Sequence, residues 1–472
     1  MTASAPIPTA ASCPPRPTTA AIDASTRAPV LWLAGGAVKW LVLSLIAGLI
    51  SSMKLHMPGL LAGIPAFTYG RLVALQDAVF IYGFASQAAM AVALWLICRL
   101  GATTLVGRGP IIVASLIWNL GVIVGSLGIL AGNGSPFEHL QFPHSAMPIF
   151  FVSYCVYGIC ALLTFASRKE CGMYPSLWFV FAALIFFPWI LASASMTLWS
   201  PVVRGAVSPM IATWAGNNIV MLWLGSIALA AVYYLLPKIT GKSLYSYGMA
   251  VFAFWLYILF AQSGGFHATA AFPSWVQGMS ELTTILLVIP AVAAGLNWFN
   301  TIGGKAGKRP GDRAYSFAWW AAVLYVGGSF LAAIAAWQPV NRILAFTLFQ
   351  SGLSQLFLLG FFTFSMFAAF NYILPRVAEF EWPRPGLTSL HHRLTLVGAV
   401  LVIAGLLLGG LVQGAKASDA GSDYLASVRA TFPFVGIAIL GYLALIVGQI
   451  AFLVNFASLY CSACCNRMGG GQ

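Results

Sequence analysis

Long apolar blocks alternate with short polar breaks along almost the whole chain. Twelve such blocks stand out, at about 31–50, 77–98, 110–131, 147–166, 177–198, 212–236, 247–261, 282–298, 315–336, 343–374, 394–413 and 433–456. A helix needs about 20 apolar residues to cross the hydrocarbon core, and most blocks reach that length. They are continuous rather than alternating, which predicts helices and not the strands of a closed barrel. The 343–374 block is long enough to tilt or to project beyond the bilayer. The pattern therefore predicts an all-α, multi-pass membrane protein with a central domain over 31–456. Residues 1–30, rich in Ala, Pro and Thr, read as a disordered cytoplasmic tail rather than a cleaved signal peptide. Residues 457–472 read as a Cys-containing cytoplasmic tail.

Composition sharpens this picture. The chain is 60% hydrophobic and 7% charged, outside the range of soluble domains. Its net charge of +13 invites a nucleic-acid reading, but the charge distribution argues against one. Sixteen Lys and Arg residues fall in the N-terminus, the C-terminus and every second connection; six fall in the other connections, and Lys39 lies in the first block. By the positive-inside rule both termini are cytoplasmic in a bacterial-type inner membrane. The eight cysteines form no disulfide framework. Cys461, Cys464 and Cys465 make a CxxCC cluster, but Asn466 stands where a covalent haem attachment site has His, and three thiols fall short of a structural zinc site.

Several ordered motifs then resemble subunit I of the cbb3-type haem–copper oxidases. Thr68-Tyr69-Gly70-Arg71-Leu72 precedes the second block, and Trp214-Ala215-Gly216-Asn217-Asn218 opens the sixth, where that family has Trp-x-Gly-His-Asn. Tyr233-Tyr234-Leu235-Leu236-Pro237-Lys238, Pro273-Ser274-Trp275, Val340-Asn341 and Tyr372-Ile373-Leu374-Pro375-Arg376 follow in family order. The resemblance runs from about residue 40 to 456 and implies a twelve-helix oxidase subunit I-like bundle.

The same resemblance implies where cofactor ligands belong: axial histidines for two haems and three histidines for a copper ion. The low-spin haem positions fall on Gln76 and Gln355, the high-spin position on Leu353, and the first copper position on Asn217. The remaining copper pair falls at Gly265 and Phe266 counted from Trp275, or at His267 and Ala268 counted from Trp255. Six histidines occur in all, and of these only His267 falls near a ligand position. No haem and no copper are therefore expected. Gln76, Asn217 and Gln355 keep hydrogen-bonding capacity without coordination.

Other polar residues lie near span ends. Asp77, Glu281 and Thr283 are candidates for a proton relay, or, for the two carboxylates, for groups favoured by a helix N-terminus. Glu138, His139 and His144 read as a solvated outer loop or a partner contact, and His391 and His392 as a headgroup-level pair or, as the resemblance implies, a haem-propionate contact. Phe346, Phe349 and Phe357 flank the former haem ligands.

Three functional readings follow. One is a non-catalytic, oxidase-like subunit serving structure or assembly in a respiratory complex. It would sit beside a cytochrome c subunit or a ligand-complete oxidase subunit, with lipid but no nucleic acid as further partner. The second is a working oxidase or nitric oxide reductase that binds haem b through displaced ligands. The third is a proton or small-solute channel or carrier.

Overall fold

A computed structural model describes residues 16–200, 203–266, 272–303, 312–419, 421 and 423–469. Eleven helices are long and apolar enough to cross a membrane: Thr19–His56, Tyr69–Leu100, Arg108–Ala131, Met147–Ala166, Pro175–Leu198, Val207–Thr240, Ser274–Ile302, Arg313–Ala336, Leu348–Ala378, Pro385–Ala417 and Tyr424–Ala463. The shorter apolar helix Tyr247–Ala261 lies between the sixth and seventh of these. Counted with it in chain order, they match the twelve predicted blocks and are called spans one to twelve below. Counted as twelve crossings, they put Thr19 and Gly469 on the same face.

The spans are not equivalent. The apolar windows of spans two, six and ten are 100%, 89% and 89% buried, against 39–56% for the other long spans. Three helices thus form an inner set, and the rest sheathe them from lipid. Each inner span is interrupted by one seven-residue π-helical turn, at Val79–Ala85, Ile219–Gly225 and Leu356–Phe362. Such turns widen the helix, displace the usual backbone hydrogen bonds and recur at functional sites. A hydroxyl residue follows each turn. Ser86 Oγ donates to Ile81 O at 2.6 Å and Thr363 Oγ1 to Leu358 O at 2.8 Å, both five residues back. Aromatic rings fill the space beside the inner set: Phe187 stacks on Trp223 with centroids 3.6 Å apart, and Trp118 donates to Tyr82 O at 2.6 Å.

Local chemistry fixes the ends. Thr18, Ser246, Asp312 and Thr347 cap the spans that follow them through side-chain acceptors. Gly132 and Gly303 close spans three and eight at φ +96° and +68°, a conformation that glycine adopts without strain.

Three boundary expectations need correction. The chain is helical from Thr19, not from 31, with Ile22, Thr26 and Val30 buried at a four-residue spacing. Composition hid this because the segment is docked by polar contacts. Trp95 Nε1 donates to Asp23 Oδ1 at 2.9 Å, Arg99 lies 3.6 Å from Asp23, and Arg27 pairs with Glu379 at 2.5 Å. At the other end the last helix runs from Phe432 to Gly469, so 457–469 continues it; no proline or glycine intervenes before Gly469 to stop it. The 343–374 block is broken. A short helix Gln338–Leu344 ends before Phe346, which has φ +61° and is 80% exposed, and span ten starts at Leu348. Phe346 therefore flanks nothing.

Replacing Asp23 with Ala strands the Trp95 donor and the Arg99 charge. The expected outcome is a loss of about 1–3 kcal/mol and faster proteolytic cleavage within 19–30, read by thermal unfolding and limited proteolysis in detergent.

Candidate functional site

The described residues line a half-open cavity of about 510 Å3 on the face opposite Thr19 and Gly469. Its walls come from the first halves of spans six, eight and ten, the end of span nine, and two connections, at 136–139 and 264–265. Asn217 and Gly216 stand on one wall, Gln350, Leu353 and Ser354 on another, and Thr284 and Ser329 between them.

The former copper wall is tightly built. Asn217 Nδ2 donates to Ala261 O at 2.9 Å, and Asn218 Nδ2 donates to Trp214 O and Gln262 O at 2.7 and 3.1 Å. These amides hold the 262–266 connection against span six. Gly265, at φ +93°, lies so near that a Cβ would come within 3.1 Å of Asn217 Cβ. Phe266 turns away into a small cluster with Phe272 and Val276, and its N–H is accepted by Ser280 Oγ at 2.9 Å. Of the two registers for the copper pair, Gly265 of the first stands beside Asn217, and both residues of the second, His267 and Ala268, fall outside what is described.

The haem-ligand positions part company. Leu353 lines the cavity. Gln76 does not: its Nε2 donates to the Tyr442 hydroxyl at 2.9 Å, and its carbonyl accepts from Ser44 Oγ at 2.7 Å. A Cβ on Gly48 would sit 2.9 Å from Gln76 Cδ, so span one packs directly on the amide. Gln355 is half-buried, immediately before the π turn of span ten.

Asp77 lies eight residues into span two, not at its N-terminus. Its carboxylate accepts from the His139 backbone N–H and from His139 Nδ1, each at 3.0 Å, and from Gln141 Nε2 at 2.5 Å. The Tyr82 hydroxyl donates to His139 O at 3.0 Å. His139 is buried rather than solvated, and it lines the cavity. Its φ of +60° is strained for a residue with a Cβ and is held by these bonds. Burial disfavours the charged ring, but the adjacent Asp77 carboxylate outweighs it and pushes the His139 pKa up to about 9. Sequence reading did not pair these residues; they are 62 positions apart, and nothing in the hydrophobic pattern links them.

The other candidates take structural contacts. Glu281 Oε1 accepts from Gln338 N at 3.0 Å, tying span eight to the short helix before span ten. Thr283 donates back to Met279 O at 2.9 Å, and it is the neighbouring Thr284 that reaches the cavity. His144 stacks edge-on against Trp199. His391 faces neither lipid nor solvent. It is fully buried between spans eleven and twelve, with Nδ1 3.2 Å from Gly448 O and rings of Phe317, Phe367 and Phe452 around it. Cys461 is exposed, while the side chains of Cys464 and Cys465 lie outside those described.

This donor set does not fit the cofactors of the fold. At the positions that the resemblance assigns to the high-spin haem and the first copper ligand stand an aliphatic side chain, Leu353, and a committed amide, Asn217. The cavity's described imidazole, His139, has Nδ1 bonded to Asp77, which favours its protonated ring over a metal-ligating one. No group of three His, Cys, Asp or Glu side chains able to hold a metal ion occurs among the described residues.

A pH dependence follows from the raised His139 pKa. The ion pair contributes fully below the ordinary histidine value of 6.5, progressively less above it, and is lost as pH rises through about 9. Thermal unfolding across pH 6–10 is expected to show this fall. Asp77→Asn is expected to flatten it and to cost about 3 kcal/mol at neutral pH.

Residues 28–458 match the family described as "Cytochrome C and Quinol oxidase polypeptide I". The chain is 24% identical over 438 residues to the "Cbb3-type cytochrome c oxidase subunit CcoN1" of Stutzerimonas stutzeri, covering 89% of this chain and 91% of that one. It is also 24% identical over 452 residues to the "Cytochrome c oxidase subunit 1 homolog, bacteroid" of Bradyrhizobium diazoefficiens, covering 90% of this chain and 81% of that one. Among solved structures, the cryo-EM structure of a haem–copper terminal oxidase dimer superposes with a TM-score of 0.67 at 14% identity, over 91% of this chain and 84% of that one. With its matched length, its sheathed inner spans and its apolar helices, the chain is a multi-pass inner-membrane protein that belongs to the cytochrome c and quinol oxidase polypeptide I family.

Proposed function

We propose that this chain is a non-catalytic, subunit I-like component of a respiratory membrane complex, free of haem and copper, with both termini cytoplasmic and the cavity opening to the opposite face. The observation that carries this reading is the cavity wall at Asn217 and Leu353. One residue is an amide spent on the Ala261 carbonyl and the other an aliphatic side chain, at two positions where the family fold calls for imidazoles. The faithful retention of the twelve spans supports a role that depends on surfaces and packing. Its partners would be other membrane subunits, including a cytochrome c subunit or a ligand-complete subunit I.

Affinity purification from the native membrane, followed by a pyridine haemochrome spectrum and metal analysis, tests this. The expected outcome is far less than one haem and one copper per chain after any co-purifying subunits are stripped, with a histidine-complete oxidase subunit or a cytochrome in the unstripped sample. Stoichiometric haem on the isolated chain would sink the reading and favour the displaced-ligand oxidase.

A further inference from the structure

Span one carries a charge at a depth where no other span does. Lys39 lies 20 residues after Thr19 and 17 before His56, whereas no other Asp, Glu, Lys or Arg of the twelve spans is more than eight residues from a span end. Arg27 and Lys54, the charged residues on either side of it, are 12 and 15 positions away, about 18 and 23 Å along a helix that rises about 1.5 Å per residue. The Lys39 side chain is exposed. It shares one helical face with the exposed Trp32, Leu43 and Ile46, at successive spacings of seven, four and three. That face looks out of the bundle between two neighbours. On one side a Cβ on Gly35 would come within 2.9 Å of Phe456 on span twelve; on the other, Trp40 Nε1 donates to Asn119 Oδ1 on span three at 2.7 Å. Asn119 is further engaged with Gln87. No carboxylate pairs with Lys39 among the described residues, and all ten Asp and Glu of the chain are among them. Seven of these lie outside the spans. Asp23, Asp77 and Glu281 lie within spans, but are bonded to Trp95, His139 and Gln338.

We infer that this face of span one docks a transmembrane helix of another subunit, which presents an Asp or Glu to Lys39 near mid-bilayer depth. An ammonium in hydrocarbon is costly, and intramembrane charges pair with one another or with backbone carbonyls rather than face lipid. The lysine stem leans toward the helix N-terminus, which shortens the path to the headgroups without covering it. A second copy of this chain does not supply the partner. A two-fold contact on this face sets Lys39 against Lys39, and no free carboxylate stands at that depth elsewhere on the spans. Trp32, Leu43 and Ile46 give the apolar remainder of the contact. The inference rests on the reading above in taking the chain for one of several membrane subunits, and names the chemistry of one partner.

The test puts the photocrosslinker p-benzoylphenylalanine in place of Leu43, one turn from Lys39, in the full chain in its native membrane. The same group in place of Ile159, exposed on span four, is the control. Irradiation is expected to join position 43, and not position 159, to one protein, through a transmembrane helix that carries an Asp or Glu within about one turn of the cross-link. Lys39→Met is expected to lower the cross-link at least about tenfold, and Lys39→Arg to retain it. Lys39→Glu combined with Lys at the partner's carboxylate is expected to restore the cross-link that either change alone removes. Lys39 has no partner within the chain, so Lys39→Met is expected to leave the thermal unfolding of the isolated chain in detergent unchanged or raised, which separates lost docking from lost folding. Cross-links to lipid alone, to a second copy of this chain or to a helix without a carboxylate would each overturn the proposal. So would a cross-link that Lys39→Met leaves intact, or a Lys39→Met chain that unfolds at a lower temperature. Any of these in membranes whose other subunits still co-purify with the chain overturns this inference alone, whereas haem on the isolated chain overturns the functional reading and leaves the cross-link standing.

Discussion

Within the thickness of a bilayer a polar group must find its partner inside the protein, because lipid offers none. The interior of this bundle is organised by that requirement. Buried polar side chains occur on inner and outer spans alike, and the inner spans two, six and ten each carry a π turn that displaces backbone hydrogen bonds. Ser86 and Thr363 serve carbonyls within two of those turns, and Asn217 and Asn218 serve carbonyls at the end of span seven. The amides at the imidazole positions are therefore working members of the packing. A leucine at 76 or 217 would leave Tyr442 or Ala261 without its present partner.

The same requirement explains why the surroundings of Gln76 and of Asn217 differ. Gln76 is long enough to cross to the Tyr442 hydroxyl, and Gly48 lets span one settle against it, so that site closes on itself. On the other side Asn217 is shorter and faces back to the 261–265 backbone, while Leu353 adds bulk but no reach. Nothing crosses the gap between them, and two glycines, Gly264 and Gly265, border the gap without filling it. The result is a half-open cavity of about 510 Å3, roomy enough for water to satisfy its polar wall.

Much of this was legible in the sequence. Continuous apolar blocks fixed the number and order of spans, and ordered motifs pointed to the family. The register at Val340-Asn341 and Leu374-Pro375-Arg376 placed Leu353 on what proves to be a cavity wall. Three things were not legible. Helix extents at Thr19 and Gly469 depend on Asp23, Arg27 and backbone continuity rather than on apolar density. The π turns leave the local composition unchanged. The pairing of Asp77 with His139 joins a span to a distant loop through polar groups, about which hydrophobic periodicity is silent.

That pairing bears most directly on the chemistry of the site. A carboxylate bonded to one imidazole nitrogen is the arrangement that elsewhere orients a histidine toward a metal. Its effect depends on which protons remain. Here Asp77 accepts from both the ring and the backbone of His139 and takes a further short bond from Gln141, and no neighbouring cation competes for it. Such a site favours the imidazolium over the neutral ring. The result is a positive ring locked to a negative partner at the cavity wall, with a left-handed backbone and a Tyr82 bond fixing the loop that carries it. The pair neutralises itself and fixes the shape of the mouth, so the one histidine described at the cavity contributes rigidity to its wall.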